Sequence, residues 1–147
     1  MKINNKYFGE IEYEAEEKLS FPDGLFGFEE HKEFLPIPFE EGTDTLICLQ
    51  SLADQDLSFI LLNPFAFFVD YDPQISKEDQ TAIGSPKEED ISYYVIGVIR
   101  DRVADSTVNL KAPIAVNSKT RNARQIILED PAYTFRHALG ETKGREE

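Results

Sequence analysis

The sequence predicts a mainly β protein, either a small antiparallel β-barrel-like domain or a sandwich, with a few short helices. Short apolar or aromatic runs bounded by Asp, Asn, Gly and Pro recur along the chain, as consecutive strands do. Helical patterns are few and do not alternate with the strands, which disfavours a parallel α/β sheet. The 147 residues carry no internal repeat or Gly/Ser linker. We therefore expect one domain over residues 1–140, followed by a polar tail over residues 141–147 that frays.

The first predicted strand covers residues 7–15, because apolar and acidic side chains alternate there. One face carries Ile11, Tyr13 and Ala15, and the other carries Glu10, Glu12, Glu14 and Glu16. An outward acidic ladder of this kind discourages edge-to-edge pairing between molecules.

A turn anchored by aromatic side chains follows. Gly24 and Gly27 supply the positive φ that tight turns require, and Phe21, Phe26 and Phe28 surround them. Residues 29–34 are predicted as a short helix, after which two prolines at positions 36 and 38 force an extended path.

The remaining elements are mostly strands. Their predicted ranges are 46–49, 57–62, 65–69, 93–99, 106–110, 114–117 and 124–129. A helix is expected after Ser76, whose side chain caps the exposed amides, and it ends near Ile83 and Gly84. A second helix over residues 132–139 is predicted from Asp130 and Pro131, a cap followed by proline in the first turn.

Composition excludes several functional classes. Lys and Arg total 15 and Asp and Glu total 28, so the net charge is −13. This balance disfavours nucleic acid and anionic membranes, which select clustered cations, and it suits a basic protein partner. One cysteine and an N-terminus without an apolar signal segment indicate a cytoplasmic protein. High charge of one sign also favours a monomer.

Candidate catalytic chemistry is sparse. His31 and His137 sit in no recognisable motif, and Cys48 lies in an apolar strand pattern typical of a buried, unreactive thiol. The sequence also has no Gly-rich phosphate loop and no ligand spacing for zinc or calcium. Lys119, Arg121 and Arg124 are interpreted as loop charge that balances acidic neighbours. We predict no enzyme, no cofactor and no metal site.

Several segments, in chain order, resemble one family, the flagellar assembly factor FliW. The segments that carry the resemblance are residues 21–29 (FPDGLFGFE), 49–52 (LQSL), 63–65 (NPF) with 70–71 (DY), 107–117 (TVNLKAPIAVN) and 124–128 (RQIIL). The resemblance spans nearly the whole chain, and the segment from Asn109 to Asn117 is its most specific part.

The resemblance implies a non-enzymatic regulator with a small β-barrel-like fold. Proteins similar to this one bind cytoplasmic flagellin or CsrA, a dimeric RNA-binding repressor of flagellin translation. Once flagellin is exported, the freed factor binds CsrA away from its RNA surface and relieves repression allosterically.

Candidate partner contacts follow from an aromatic and acidic segment. We select Asp70, Tyr71 and Asp72, with Glu12 and Glu14 of the ladder as weaker candidates. Replacing Asp70 and Asp72 by Lys should weaken association without changing the thermal midpoint. The neighbouring phenylalanines at 65, 67 and 68 are either core or interface residues.

Two other functions stay open from the residues alone. An acidic β-barrel with many Phe and Tyr residues also suits a small ligand or carbohydrate in an aromatic-lined pocket. A hydrolase would require two strongly perturbed carboxylates in one cleft, and nothing in the sequence indicates such a pair.

Overall fold

Antiparallel strands dominate the computed structural model, which describes residues 1–139. The strands are β1 (Lys2–Asn5), β2 (Gly9–Glu12), β3 (Leu19–Ser20), β4 (Glu33–Pro38), β5 (Leu46–Ser51), β6 (Ser58–Leu62), β7 (Ile91–Val98), β8 (Thr107–Val108), β9 (Ile114–Asn117), β10 (Ala123–Gln125) and β11 (His137–Ala138). The α-helix α1 spans Lys77–Ala82, and short 3-10 helices lie at Ala15–Glu17, Pro64–Ala66, Glu88–Asp90 and Val103–Asp105. The predicted mainly β class with a few short helices is confirmed.

The largest sheet curls back on itself. Its strands follow the order β10-β9-β7-β6-β5-β4-β3, and each neighbouring pair is antiparallel. The two ends of this path meet where Ser20 of β3 bridges Asn122, and the Ser20 N–H donates to the Arg121 carbonyl at 2.9 Å. β8 pairs with the end of β7, and β11 pairs with β8. The sheet therefore forms a barrel-like structure closed by a short seam.

Arg121 reinforces this seam. Its guanidinium donates from Nη2 to the Glu17 carbonyl at 2.6 Å and from Nε to the Lys18 carbonyl at 3.3 Å. Our interpretation of Arg121 as loop charge is therefore wrong, because its side chain ties the chain before β3 to the turn before β10.

β4 and β5 are buried on both faces. Phe34 and Leu49 point into the barrel, whereas Leu35, Ile37 and Cys48 lie on the outer side in a separate apolar cluster. Successive residues of a strand point to opposite faces, so burial of both sets requires a second layer. The β1-β2 hairpin supplies that layer with Ile3, Phe8, Ile11 and Tyr13.

A buried polar contact fixes the hairpin on the barrel. The Asn5 side-chain amide donates to Gln50 Oε1 at 2.8 Å, and the Gln50 amide donates in turn to the carbonyls of Ser51, Asp54 and Leu57. Buried amides are stable only when they are hydrogen-bonded, so this arrangement specifies how the hairpin docks.

Most predicted strands are present, and so is the first predicted helix. Residues 114–117 form β9 with the predicted bounds, and β5, β6, β7, β8 and β10 overlap their predicted ranges. Ser76 caps α1 by accepting the Asp79 N–H at 3.0 Å. The predicted outward face of the first strand is also correct, because Glu10 and Glu12 are exposed while Ile11 packs inward.

The first predicted strand is too long. Only Gly9–Glu12 is extended and paired, with β1 as its partner, and Ala15 begins a 3-10 helix instead of continuing the strand. β1 itself was not predicted, because its side chains do not alternate clearly.

Three other predicted elements are wrong. Residues 29–34 form no helix, since Phe34 is drawn into the barrel within β4. Residues 65–69 are not a strand, because Asn63 accepts the Phe65 N–H and Pro64 opens a 3-10 helix. Residues 132–139 are not helical either: Asp130 accepts the Ala132 N–H in a turn, and the chain then returns as β11 against β8. The predicted tail lies outside the described residues.

The barrel should lose stability at alkaline pH, because the Tyr94 phenol ionises there. The Tyr94 hydroxyl donates to Asp44 Oδ2 at 3.0 Å, and burial, followed by the Asp44 charge, raises its pKa from 10.0 to about 12. The folded state holds the phenol proton more tightly than the unfolded state, so this contribution is complete below about pH 10 and is lost as the pH rises towards about 12. Urea unfolding at a series of pH values should show a smaller alkaline loss for Tyr94→Phe than for the parent.

The exposed Tyr7 provides the control for this prediction. Tyr7→Phe should retain the parent's alkaline loss of unfolding free energy. An equal loss in Tyr94→Phe and the parent would contradict the assignment to Tyr94.

Candidate functional site

The structure separates the three residues of the predicted contact segment. Asp70 and Asp72 are exposed, but Tyr71 is only 5% exposed and its hydroxyl donates to the Leu110 carbonyl at 2.8 Å. Its ring packs on Tyr133 with centroids 4.8 Å apart, and burial raises the pKa of its phenol. Tyr71 is therefore a core residue rather than an exposed contact. Among the adjacent phenylalanines, Phe68 is buried and Phe65 is exposed.

The acidic ladder lies on another part of the molecule. Glu12 and Glu14 are exposed on and just after the β1-β2 hairpin, which packs on the outer faces of β4 and β5. The Lys2 ammonium stands 4.0 Å from both Glu10 and Glu12. Tyr71, in contrast, belongs to the apolar cluster that contains Ile83 and Leu128. The predicted contact residues thus form two patches rather than one.

Asp72 lies at one wall of a cleft of about 560 Å³, which we call the acidic groove. The groove is lined by Asp72, Gln74, Ile75, Ser76, Glu78, Asp79, Ile127, Leu128, Glu129, Asp130 and Tyr133. Five of these eleven residues are acidic and none is Lys or Arg, so the groove has a negative potential. Asp70 is not part of its lining.

Hydrogen bonds hold the walls of the acidic groove. The Asp72 N–H donates to the Tyr133 hydroxyl at 2.9 Å, which ties the segment before α1 to the segment after β10. Ser76 fixes the start of α1, and so places Glu78 and Asp79 at the groove. The charged groups are therefore carried by a supported backbone rather than by a free loop.

Two exposed apolar side chains, Phe26 and Ile127, lie beside the acidic groove. A second cleft, of about 440 Å³, shares Ile127 and Asp79 with it and is also lined by Phe26. Ile127 is 56% exposed and Phe26 is 48% exposed. The Phe26 N–H donates to Gln125 Oε1 at 2.9 Å, which fastens the predicted aromatic turn to β10. Both predicted glycines of that turn have positive φ, with Gly24 at 69° and Gly27 at 85°.

Arg124 neutralises part of the acidic surface. Its guanidinium lies 3.1 Å from Asp79 and 3.4 Å from Asp23, which confirms the predicted balancing of acidic neighbours for this residue. Asp72, Glu78, Glu129 and Asp130 form no ion pair within residues 1–139. The Lys111 ammonium donates to the Asp130 backbone carbonyl at 3.4 Å but forms no ion pair with its carboxylate. These four carboxylates of the groove are therefore outside the ion pairs of the described chain.

Side chains with possible catalytic chemistry are engaged elsewhere. His31 Nδ1 lies 2.9 Å from Ser51 Oγ, but Ser51 is buried and its oxygen already accepts the N–H groups of Ala53 and Asp54. His31 is therefore half-buried and held by the Ser51 side chain. Cys48 is buried beneath the hairpin beside the Asn5 amide. Among the described residues no group of three or more His, Cys, Asp or Glu side chains is placed to hold a metal ion.

A cavity at the barrel offers little support for an aromatic-lined ligand pocket. It measures about 230 Å³, and its lining includes a single aromatic residue, Tyr94, together with Arg121 and aliphatic side chains. Small-molecule sites are commonly about 300–1,000 Å³. No helix in the part of the chain that the structure describes is long and apolar enough to span a membrane.

The fold and this surface define a small antiparallel β-barrel protein with an acidic groove beside exposed apolar side chains. Comparison with known proteins identifies its family. Residues 2–139 match the family model described as FliW protein. A flagellar assembly factor FliW of Desulfitobacterium hafniense strain DCB-2 is 38% identical over 139 residues, which cover 95% of this chain and 91% of the relative. The protein of that name from strain Y51 is 38% identical over 147 residues, covering 99% and 96%.

A solved structure agrees with these sequence matches. The crystal structure of the flagellar assembly factor FliW superimposes with a TM-score of 0.87 at 34% identity, and covers 95% of this chain and 96% of the solved one. The chain belongs to the FliW family, and the resemblance stated from its sequence is confirmed.

Proposed function

We propose that this protein is a cytoplasmic, non-enzymatic partner switch in flagellar assembly. It binds either flagellin or the translational repressor CsrA, and in the second complex it relieves repression of flagellin translation allosterically. Membership of the FliW family supports the flagellar role. The proposal requires no covalent step and no cofactor.

The observation that carries the proposal is the acidic groove beside exposed apolar side chains. CsrA binds RNA and is basic, so its approach to a chain of charge −13 is electrostatically favourable. Charge chiefly speeds encounter and selects partners, whereas affinity comes from a few buried anchors. Ile127 and Phe26 are exposed at the side of the groove and suit that second role.

The same charge distribution disfavours direct binding to RNA. Phosphate recognition depends on clustered Lys and Arg, whereas the acidic groove has only acids among its charged lining residues. The protein should therefore reach the RNA only through CsrA. We propose that it acts as a monomer and does not associate with membranes.

The RNA affinity of CsrA tests this proposal. Fluorescence anisotropy with a labelled flagellin leader RNA should show that the protein weakens CsrA–RNA binding, and that added flagellin restores it. The protein alone should leave the RNA signal unchanged. Unaltered CsrA–RNA affinity at saturating protein would contradict the proposal.

A further inference from the structure

The chain just after β10 is hydrogen-bonded along one side only. The Ile126 N–H donates to the Pro113 carbonyl at 2.9 Å and the Leu128 N–H donates to the Lys111 carbonyl at 2.8 Å, so the ladder continues beyond Gln125. Alternate residues of a strand direct their backbone groups to opposite sides, and those of Ile127 therefore point away from this ladder. Within residues 1–139 neither the N–H nor the carbonyl of Ile127 has a hydrogen-bond partner. We call residues 126–128 the open edge.

The open edge lies where the two clefts meet. Ile127 lines both the acidic groove and the cleft that contains Phe26. A strand paired with this edge would run along both clefts, with Asp72, Glu129 and Asp130 on one side and Phe26 and the ion-paired Arg124 on the other. Unpaired edges are templates for added strands unless they are shortened, charged or covered.

We propose that the open edge accepts an extended segment of a basic partner protein as an additional β-strand. The partner backbone pairs with the N–H and carbonyl of Ile127, which supplies orientation and part of the affinity. Lys or Arg side chains of the added segment meet the unpaired carboxylates of the acidic groove, and an apolar side chain packs on Ile127. This inference rests on the proposed function, in which the basic partner is CsrA.

Charge selects this occupant over a second copy of the chain. Two copies paired at the open edge would bring two acidic grooves together, and like charges at an interface are unfavourable. The protein should therefore elute as a monomer in size-exclusion chromatography at physiological salt. A dimer dispersed by Ile127→Pro would overturn the assignment to a basic partner.

Ile127→Pro tests the edge directly. Proline removes the outward N–H and places a ring where the added strand would lie, and it is tolerated at strand edges whose N–H faces solvent. Calorimetric titration with CsrA should show at least about tenfold weaker binding for Ile127→Pro. Ile127→Val keeps the backbone donor and most of the apolar surface, and it should stay within about twofold of the parent. Equal affinity of the proline variant and the parent would overturn the proposal.

Amide hydrogen exchange on the unmodified protein makes the test independent of how the proline variant folds. The Ile127 amide should exchange rapidly in the free protein and become protected in the complex with CsrA. Protection confined to other segments would refute strand addition while leaving the proposed function intact.

A separate probe decides the inference if CsrA does not bind. An acetylated peptide of eight alternating Lys and Val residues should shift the Ile127 amide resonance, whereas one of alternating Glu and Val should not. Failure of CsrA to bind would then count against the proposed function alone, and failure of the Lys-Val peptide would overturn the open edge as a binding site.

Discussion

Gly24→Ala should lower the free energy of unfolding by about 2–5 kcal/mol. Gly24 has φ of 69°, a conformation that costs an L-residue roughly 1–2 kcal/mol. A Cβ at this position would lie 2.5 Å from the Glu29 Cα. Because the atom it meets is backbone, relief requires the turn to move, which adds about 1–3 kcal/mol. Urea unfolding followed by tyrosine fluorescence and circular dichroism measures the change.

Gly27→Ala is the matched control in the same turn. Gly27 also has positive φ, but a Cβ built there has no atom within 4 Å. Only the conformational cost remains, so the loss should be about 1–2 kcal/mol. Equal losses for the two variants would contradict the close approach of the turn to Glu29.

Charge reversal in the acidic groove should give the largest effect on binding. Asp72 and Glu129 are exposed, line the groove and form no ion pair within the described chain. Asp72→Lys combined with Glu129→Lys should weaken association with CsrA at least about tenfold, because repulsion at the contact replaces attraction. Isothermal titration at about 0.15 M salt measures the affinity, and the thermal midpoint should stay near that of the parent.

The control for this pair uses the acidic ladder. Glu12→Lys combined with Glu14→Lys makes the same change in net charge, since each replacement adds two units and each pair adds four. Glu12 and Glu14 line neither cleft, and exposed charges away from a contact are screened by salt. If the groove is the contact, the ladder variant should therefore remain within about threefold of the parent. Equal weakening by both pairs would mean that net charge, rather than the groove, determines association.

The sequence predicted correctly those elements that are determined by neighbouring residues, such as a helix cap or a tight turn. Ser76 caps α1 as its position before two acids predicts, and both glycines of the aromatic turn adopt positive φ. The helix predicted over residues 132–139 is absent because a long-range contact, not a local signal, decides the structure there. Asp130 and Pro131 form only a turn, because pairing of β11 with β8 outweighs a helical propensity of roughly a few tenths of a kcal/mol per residue.

The candidate site was predicted only in part because it is assembled from distant segments. Asp72 was identified, but Glu129 and Asp130 reach the same groove only once β10 has joined β9. In a chain with 28 acidic residues, no local signal distinguishes them. The position of Tyr71 did carry a signal. Tyr71 lies between two aspartates, and of these three side chains only the aromatic one gains from burial, since aspartates are mostly exposed.

The amino-acid sequence of β5 explains why both of its faces are buried. Residues 46–49 are uniformly apolar, and such runs are typical of strands covered on two sides. The β1-β2 hairpin that covers the outer face was not predicted, because β1 has no alternating pattern. Its position depends on contacts between distant parts of the chain, namely the Asn5–Gln50 hydrogen bond and the apolar packing of the hairpin on β4 and β5.

Calorimetric titration of the purified protein with CsrA, alone and after saturation with flagellin, tests the central claim most directly. The account predicts binding to CsrA that weakens at higher salt, since exposed charges are screened, and that disappears once flagellin is bound. Binding to neither folded partner, or binding of CsrA that is unaffected by flagellin, would contradict a partner switch.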